Sequence, residues 1–282
     1  MSSYPHLSDL AADYDALLCD VWGVIRDGRS VIPDALDALV KYREQGGTVV
    51  LLSNSPRRAK SLVTHLSELG APREAFDDAV TSGEATFAEL QRRAPGPAYK
   101  LGPSWDDPLY EGSGLEFAPL QDAEFICCTG LVDYETETPD DYEDLLREAQ
   151  LRRLPMVCAN PDTVVQLGDT LAYCAGALAE RYQEMGGAVT IAGKPNPPIY
   201  DLAYERVEAL RGPTEKSRLL AVGDGPDTDI KGAVAEGLDA LFIAGGIHQE
   251  RFSGDFDRAK AAALLDEQAL SARHIAPALV WR

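Results

Sequence analysis

The sequence has no apolar run long enough to cross a membrane, and its longest apolar segments are the length of single β-strands. Its first residues lack the basic flank and apolar centre of a signal peptide. Cysteine is scarce, with five residues and no C-x-x-C spacing, and there are only four histidines. We therefore expect a cytoplasmic protein without a cysteine nucleophile. Four cysteines lie in strand-like runs and are expected to be small core residues: Cys19, Cys127, Cys128 and Cys158.

Positive charge is also scarce, because the chain has 26 Lys and Arg residues and 46 Asp and Glu residues, which gives a net charge of −20. Such a chain is repelled by nucleic acid and by anionic membranes, so neither is expected as a partner. Phosphate can still bind where a local lysine and backbone N–H groups outweigh the overall charge. The 282 residues are enough for one large or two ordinary domains, and no internal repeat is present.

The residues that could carry chemistry follow three apolar segments, each with the length of a buried strand. Asp20 follows Ala16–Cys19, and Thr48–Ser55 ends in hydroxyl and amide side chains. The third segment, Leu219–Ala233, reads as a strand, an acidic loop and the start of a helix. In open α/β sheets, ligands bind at the carboxyl ends of the strands. A lone aspartate there more often starts a turn, so the combination of segments carries the prediction.

A fourth segment, Gly193–Pro197 (G-K-P-N-P), places a lysine in front of a helical pattern. Aspartate, hydroxyl, lysine and paired acids in this order resemble the four motifs of the haloacid dehalogenase superfamily. The forms G-K-P-N-P and G-D-x-x-x-T-D-I resemble its class IIA, the NagD-like hydrolases. The resemblance extends from Tyr14 to His248. It implies an α/β fold, with a Rossmann-like parallel-sheet core and an inserted α/β cap domain.

The domain boundaries are predicted from the position of a second β-α pattern. Residues 82–191 have such a pattern of their own, and they lie between the second and third motifs, where class IIA inserts its cap. We therefore expect a discontinuous core of residues 1–81 and 192–282, with residues 82–191 as the cap. Near the end of the chain, Ala278–Trp281 is predicted to form an edge strand.

One hairpin is predicted within the cap. Val164–Leu167 and Thr170–Cys174 read as strands, and Gly168-Asp169 between them is typical of a tight turn.

The resemblance implies roles for four residues around a magnesium ion. Asp20 is the expected nucleophile, attacking phosphorus to form an aspartyl-phosphate. Asp20, Asp224 and the main-chain carbonyl of Trp22 are the expected Mg²⁺ ligands. Asp229 is expected to be a supporting carboxylate that orients either a water molecule or the lysine of the third motif.

The remaining motif residues are expected to contact the substrate. Lys194 supplies positive charge to the phosphoryl oxygens, although a surface lysine before a helix is the alternative interpretation. Ser53 and the N–H of Asn54 donate to the phosphate, unless they only end a strand. Asp162, in the cap segment N-P-D, contacts an amine or hydroxyl of the substrate or else forms an Asx-turn. We expect Asp20, Ser53, Lys194, Asp224 and Asp229 to converge at one end of a sheet.

One position departs from the family pattern. Most phosphatases of the family read D-x-D, and the second aspartate is their general acid and base. Trp22 occupies that position, and an indole exchanges no proton near neutral pH. The loss of a general acid–base typically costs ~10²–10⁴-fold in rate.

Three functions are therefore open. The favoured one is a Mg²⁺-dependent phosphatase of weak activity, acting on a small phosphorylated metabolite of the sugar- or nucleotide-phosphate type. It is favoured because the acidic fourth motif is complete, and carbon chemistry does not need Mg²⁺. A phosphometabolite-binding protein with little turnover is the second. A dehalogenase-like hydrolase that forms an ester on Asp20 is the third, since the family's dehalogenases carry an aromatic residue at the position of Trp22. A homodimer is compatible with all three.

Overall fold

The computed structural model describes residues 4–27, 30–167, 170–245 and 256–282. The chain divides into two compact units. Unit 1 consists of Met1–Ser53, Lys60–Val80 and Tyr200–Arg282, and unit 2 of Asn54–Ala59 and Thr81–Ile199. Unit 2 therefore interrupts unit 1 in the sequence, and it includes the short segment that directly follows Ser53. The domain boundaries after residue 81 and before residue 192 stay a prediction.

The elements are numbered in chain order. The described strands are β1 (Ala16–Cys19), β2 (Thr48–Ser53), β3 (Asp78–Thr81), β4 (Ala98–Leu101), β5 (Phe125–Cys128), β6 (Met156–Cys158), β7 (Val164–Leu167), β8 (Thr170–Tyr173), β9 (Val189–Ile191), β10 (Leu219–Gly223), β11 (Asp239–Ile243) and β12 (His274–Ala276). The described helices are α1 (Leu7–Leu10), α2 (Pro33–Glu44), α3 (Ala59–Glu68), α4 (Ser82–Arg93), α5 (Glu143–Leu151), α6 (Ala175–Glu184), α7 (Pro197–Arg211), α8 (Lys231–Glu236) and α9 (Arg258–Asp266).

Unit 1 contains a six-stranded sheet in the order β12-β11-β10-β1-β2-β3. The pairs from β12 to β2 are parallel. Every residue of β1, β2 and β10 is buried, as expected for central parallel strands that helices cover on both faces. This is the predicted Rossmann-like core.

The predicted edge strand Ala278–Trp281 is wrong, because the edge strand of this sheet is β12, which pairs with β11. Pro277 follows β12 directly and has no N–H to donate to a further ladder bond. The residues after it bond elsewhere, since the carbonyl of Val280 accepts from the N–H of Leu7.

Unit 2 contains a four-stranded parallel sheet in the order β4-β5-β6-β9. Successive residues of β5 enter different apolar clusters, with Ile126 and Cys128 in one and Phe125 and Cys127 in the other. Since side chains alternate across a strand, the two clusters lie on opposite faces of the sheet. Unit 2 is thus the predicted second α/β unit, with a core of its own.

The hairpin of unit 2 is confirmed, since β7 and β8 pair antiparallel with Leu167 opposite Thr170. The predicted turn residues Gly168 and Asp169 lie outside the described residues.

The cysteines behave as predicted, because Cys19, Cys127, Cys128 and Cys158 are buried and none is in a disulfide. Burial raises the pKa of the Cys127 and Cys158 thiols to about 12, so they are poor nucleophiles. Within the described residues, every helix is too short or too polar to span a bilayer.

Candidate active site

The predicted acids lie together at the carboxyl edge of the unit 1 sheet. Cys19 at the end of β1 is level with Val222 of β10 and with Leu51 of β2. Asp20 extends β1 by one residue, and its N–H donates to the carbonyl of Val222 over 2.8 Å. Asp224 directly follows β10 on the neighbouring strand. The sheet register therefore brings these two acids to the same edge.

Asp20, Asp224 and Asp229 form an acidic cluster, each with a carboxylate oxygen within 4.8 Å of the others'. Their exposed fractions are only 7%, 3% and 6%. Ionised carboxylates are costly to bury together unless positive charge is close by. The cluster therefore has the composition of a cation site.

Two glycines allow the acids to pack this closely. Gly23 has a φ of +78°, and a Cβ atom on it would lie 1.8 Å from Oδ2 of Asp224. A Cβ on Gly223 would lie 2.2 Å from Cγ of Asp229. A side chain at either position would therefore displace a carboxylate of the cluster.

Asp229 is placed by a π-helical turn, Pro226–Ile230, that precedes α8. The carbonyl of Gly225 accepts from the N–H groups of both Asp229 and Ile230, and the N–H of Gly225 donates to Oδ2 of Asp229 over 3.0 Å. Such turns are often found at functional sites. The sequence predicted the start of a helix within Leu219–Ala233, and the α-helix begins at Lys231, after the π-helical turn.

Trp22 lies at the beginning of the turn that follows β1, and its side chain is 49% exposed. The guanidinium carbon of Arg26 lies 4.7 Å from the centre of the indole. Within the described part of the chain, the Trp22 carbonyl accepts no main-chain hydrogen bond, so it is available as a metal ligand. The side chain supplies no proton.

Ser53 is the last residue of β2 and is 8% exposed. Because Leu51 is level with Cys19, Ser53 lies one residue further along the sheet edge than Asp20. The predicted serine and the predicted nucleophile therefore lie at the ends of adjacent strands.

Lys194 and Asn54 belong to unit 2 and are joined there by two hydrogen bonds. The Asn54 side chain accepts from the N–H of Lys194 over 2.8 Å and donates to its carbonyl over 3.2 Å. Lys194 follows β9 and is only 2% exposed. The interpretation of Lys194 as a surface lysine is therefore wrong. The convergence of Lys194 with Asp20 stays a prediction.

The role of the Asn54 side chain was not predicted, because only its N–H was expected to act. Its partner is 140 residues away in the sequence. One indication of this contact was present in the sequence, because Asn54 and Lys194 both lie in segments that resemble family motifs.

Asp162 lies in unit 2 just after β6 and is half-buried. The Asx-turn at this point is made by Asn160, whose side-chain oxygen accepts from the N–H of Asp162 over 3.0 Å. The carbonyl of Asp162 accepts from the N–H of Gly176 in the first turn of α6. The main chain of Asp162 is thus fixed, and a substrate contact from its side chain stays a prediction.

The acidic cluster fits Mg²⁺ by its donor atoms. Mg²⁺ prefers oxygen ligands and is usually held by one or two carboxylates, with water completing the octahedron. Asp20, Asp224 and the carbonyl of Trp22 would be the ligands, with Asp229 as a supporting carboxylate.

Comparison with known families gives two matches. Residues 17–116 match the model of haloacid dehalogenase-like hydrolases, and residues 191–272 match a HAD-hydrolase-like model. The two matched segments contain Asp20, Ser53, Lys194, Asp224 and Asp229.

A solved structure from Brucella suis 1330, a hydrolase of the haloacid dehalogenase-like family, is 42% identical to this chain. The match covers 98% of this chain and 99% of that one, with a TM-score of 0.83. This likeness extends over both units.

Two curated phosphatases are similar over most of the chain. D-glycerol 3-phosphate phosphatase of Mycobacterium tuberculosis is 26% identical over 86% of this chain, which spans 66% of that protein. A structure of glycerol phosphate phosphatase from this organism, in complex with magnesium, is 26% identical with a TM-score of 0.66, covering 84% of this chain and 70% of that one. The ribonucleotide monophosphatase NagD of Escherichia coli K12 is 25% identical over 82% of this chain and 88% of its own length.

Proposed function

The chain belongs to the haloacid dehalogenase-like hydrolases, in their NagD-like class, and we propose that it is a Mg²⁺-dependent phosphatase of small phosphorylated metabolites. The observation that carries the proposal is the buried cluster of Asp20, Asp224 and Asp229 at the carboxyl edge of a parallel sheet. The similar proteins act, by their names, on glycerol phosphate and on ribonucleotides. Sugar and nucleotide phosphates are therefore the substrates to test first.

Asp20 is the proposed nucleophile. Its carboxylate oxygen forms a bond to phosphorus, and the bond from phosphorus to the ester oxygen breaks, leaving an aspartyl-phosphate. The ester oxygen leaves with the bonding electrons and takes a proton from water to become the alcohol. Water then attacks this phosphorus, which returns the carboxylate and releases inorganic phosphate. Splitting the displacement in this way gives two steps with lower barriers. Bound Mg²⁺ would supply the positive charge that lets a phosphate dianion approach three carboxylates.

Lys194, Ser53 and Asn54 are the proposed phosphate-binding groups. The ammonium of Lys194 and the donors of Ser53 and Asn54 stabilise charge on the phosphoryl oxygens as the bond breaks. The burial of Lys194 supports this role, because water does not screen a buried charge as it does an exposed one. The two hydrogen bonds from Asn54 hold the Lys194 main chain in place.

The leaving group receives no proton from position 22. Esters with good leaving groups, such as aryl and acyl phosphates, need no proton and should be the faster substrates. Alkyl phosphates should be slow, since the loss of a general acid typically costs ~10²–10⁴-fold.

The test is single-turnover hydrolysis of a panel of alkyl, aryl and acyl phosphates, with Mg²⁺ or with EDTA. Asp20→Asn should lower the rate by ~10⁴-fold or more, as expected for the loss of a nucleophile. Lys194→Met should lower it by ~10²–10³-fold. Asp37→Asn is the matched control, because Asp37 is an exposed acid of α2 that pairs with Lys41 on the surface of unit 1.

Hydrolysis that needs both Mg²⁺ and Asp20 supports the phosphatase. Tight Mg²⁺-dependent binding of phosphate esters without turnover would instead indicate a binding protein. Halide release from a haloacid that is unaffected by EDTA would indicate dehalogenase chemistry on Asp20.

A further inference from the structure

The segment Asn54–Arg58, called here the Asn54 loop, is fixed from two sides within unit 2. On one side, the Asn54 side chain makes its two hydrogen bonds with the main chain of Lys194. On the other side, the loop contacts the residues that begin α4. The first contact belongs to the proposed phosphate-binding groups, whereas the chemistry described so far gives the second no role.

The main chain of the Asn54 loop is hydrogen-bonded to the start of α4. The N–H of Gly83 donates to the carbonyl of Ser55 over 3.0 Å. The hydroxyl of Thr81, which also caps α4, donates to the carbonyl of Arg57 over 2.6 Å. A Cβ atom on Gly83 would lie 2.1 Å from a carbonyl oxygen of the loop, so the two backbones are in direct contact. The loop is therefore seated on the beginning of this helix.

Arg58 and Glu84 complete this contact with their side chains. Two nitrogens of the Arg58 guanidinium donate to the two carboxylate oxygens of Glu84, over 2.8 and 2.9 Å. One of these oxygens also accepts from the N–H of Ala59 over 3.2 Å. The guanidinium carbon lies 3.6 Å from the centre of the Phe87 ring, further along α4. A bidentate pair fixes orientation as well as distance, so it sets how the end of the loop lies against the helix.

The start of α4 also reaches the segment that contains Lys194. A Cβ atom on Gly193 would lie 2.8 Å from the side-chain oxygen of Asn54 and 2.8 Å from the hydroxyl oxygen of Ser82. Ser82 begins α4, is fully buried and donates to the carbonyl of Ala159 over 2.6 Å. The loop, the helix start and the lysine segment are thus packed together. A shift of the loop against α4 would therefore move Asn54 relative to Lys194.

We propose that Arg58 and Glu84 are positioning residues, whose ion pair holds Asn54 against Lys194 and so places both groups for the phosphate. The inference rests on the proposed phosphatase function. Neither side chain touches the phosphate, and the pair acts through Asn54. A misplacement of about 1 Å can cost ~10²-fold in rate, so a looser loop lowers turnover although every phosphate-binding group is still present. Partly exposed ion pairs contribute little to stability, so variants of this pair should remain folded.

The experiment is a double-mutant cycle on kcat for an aryl phosphate at saturating Mg²⁺. Arg58→Lys keeps the positive charge, loses the bidentate geometry and should lower kcat by about 10-fold. In the Asn54→Ala background, the same substitution should lower kcat by less than about 2-fold, because the group that the pair positions is already absent. Glu84→Gln keeps the shape of the side chain and should lower kcat by about 3–10-fold.

Arg43→Lys is the matched control. Arg43 also forms a bidentate ion pair, with Asp77, and its side chain is 26% exposed where that of Arg58 is 28% exposed. It lies in the last turn of α2, before β2 begins, and hence at the amino edge of the unit 1 sheet. The substitution should lower Tm about as much as Arg58→Lys does and should leave kcat unchanged.

A fall in kcat of the same size in the wild-type and Asn54→Ala backgrounds would overturn the inference, since Arg58 would then not act through Asn54. An equal fall in Arg43→Lys would also overturn it. If kcat is unchanged in Arg58→Lys and Glu84→Gln while the wild type turns over, the positioning role is wrong and the phosphatase stands. If the wild type binds without turnover, Kd values for inorganic phosphate from calorimetry give the same cycle. A wild type that neither hydrolyses phosphate esters nor binds phosphate overturns both proposals.

Discussion

The two sheets of this protein present the same kind of edge with different side chains. At the carboxyl edge of unit 1 stand Asp20, Asp224 and Asp229, all more than nine-tenths buried. At the carboxyl edge of unit 2 stand a buried hydroxyl, Thr129, and a half-buried acid, Asp106. The first set is suited to hold a cation and to attack phosphorus. The second set has one carboxylate where the first has three.

At both edges, a glycine allows the backbone to approach a polar side chain closely. A Cβ on Gly23 would lie 1.8 Å from the Asp224 carboxylate, and one on Gly102 would lie 2.0 Å from the Thr129 hydroxyl. In each unit a backbone without a side chain approaches the functional group directly. The comparison teaches that the parallel sheet determines where functional groups gather, while the residues after each strand determine what the edge does.

Beyond the loss of the nucleophile or of Lys194, the largest expected effect comes from adding an acid to the unit 1 edge. Trp22→Asp restores the D-x-D pattern and should raise alkyl-phosphate turnover more than aryl-phosphate turnover, by up to ~10²-fold. Because the indole is 49% exposed, its removal should leave little buried cavity. The measurement is the alkyl-to-aryl ratio of kcat values in the presence of Mg²⁺.

Trp22→Asn is the matched control, since it removes the indole without supplying a proton. Arg26, whose guanidinium lies over the indole, would also lie near a carboxylate at this position and would lower its pKa. The pH optimum of turnover by the Trp22→Asp variant should therefore lie on the acidic side of neutrality. Equal alkyl-to-aryl ratios in the two folded variants would show that proton supply does not limit the wild type.

A smaller effect is expected from loosening Lys194 in unit 2. Asn54→Ala removes both hydrogen bonds to the main chain of Lys194 and should lower kcat by about 10-fold, because the ammonium is then less well positioned.

Asn196→Ala is the control for this prediction, because its side chain donates over 3.2 Å to the carbonyl of Gly193 in the same segment. It should change kcat much less than Asn54→Ala does. Similar losses in the two variants would mean that the whole segment, and not the contact with Asn54, positions the lysine.

The smallest effect is on stability and again contrasts the two edges. Mg²⁺ at about 100 times its Kd should stabilise the folded protein by about 2.7 kcal/mol, which raises Tm by roughly 5–10 °C. Asp224→Asn should abolish the rise in Tm that Mg²⁺ causes. It should also raise the Tm of the metal-free protein, since it removes one of three close carboxylates.

Asp227→Asn should retain the full shift, because this acid of the same turn is exposed and lies outside the cluster. The unit 2 variant Asp106→Ala should also retain it. A Tm that does not respond to millimolar Mg²⁺ in the wild type would contradict a metal site in unit 1.

Much of the site was predictable from local patterns. A short apolar run followed by an acid predicts a buried parallel strand with a carboxylate at its end, and Asp20 and Asp224 both lie in that position. Asp229 lies six residues after β10, so it was predicted from the resemblance of its segment to the family's fourth motif, and the turn that holds it is π-helical. The edge strand was misassigned because Ala278–Trp281 is apolar enough to be a strand, whereas hydrogen bonding across the sheet selected His274–Ala276.

The sequence by itself determined the strand ends, the acids that follow them and the absence of a proton donor at Trp22, because these depend on residue type and local spacing. Only the tertiary structure decided that Lys194 is buried and held by Asn54, and that Thr129 meets Gly102. These are contacts between segments that are far apart in the sequence. Burial and partner choice depend on which strands become neighbours, and no local pattern contains that information.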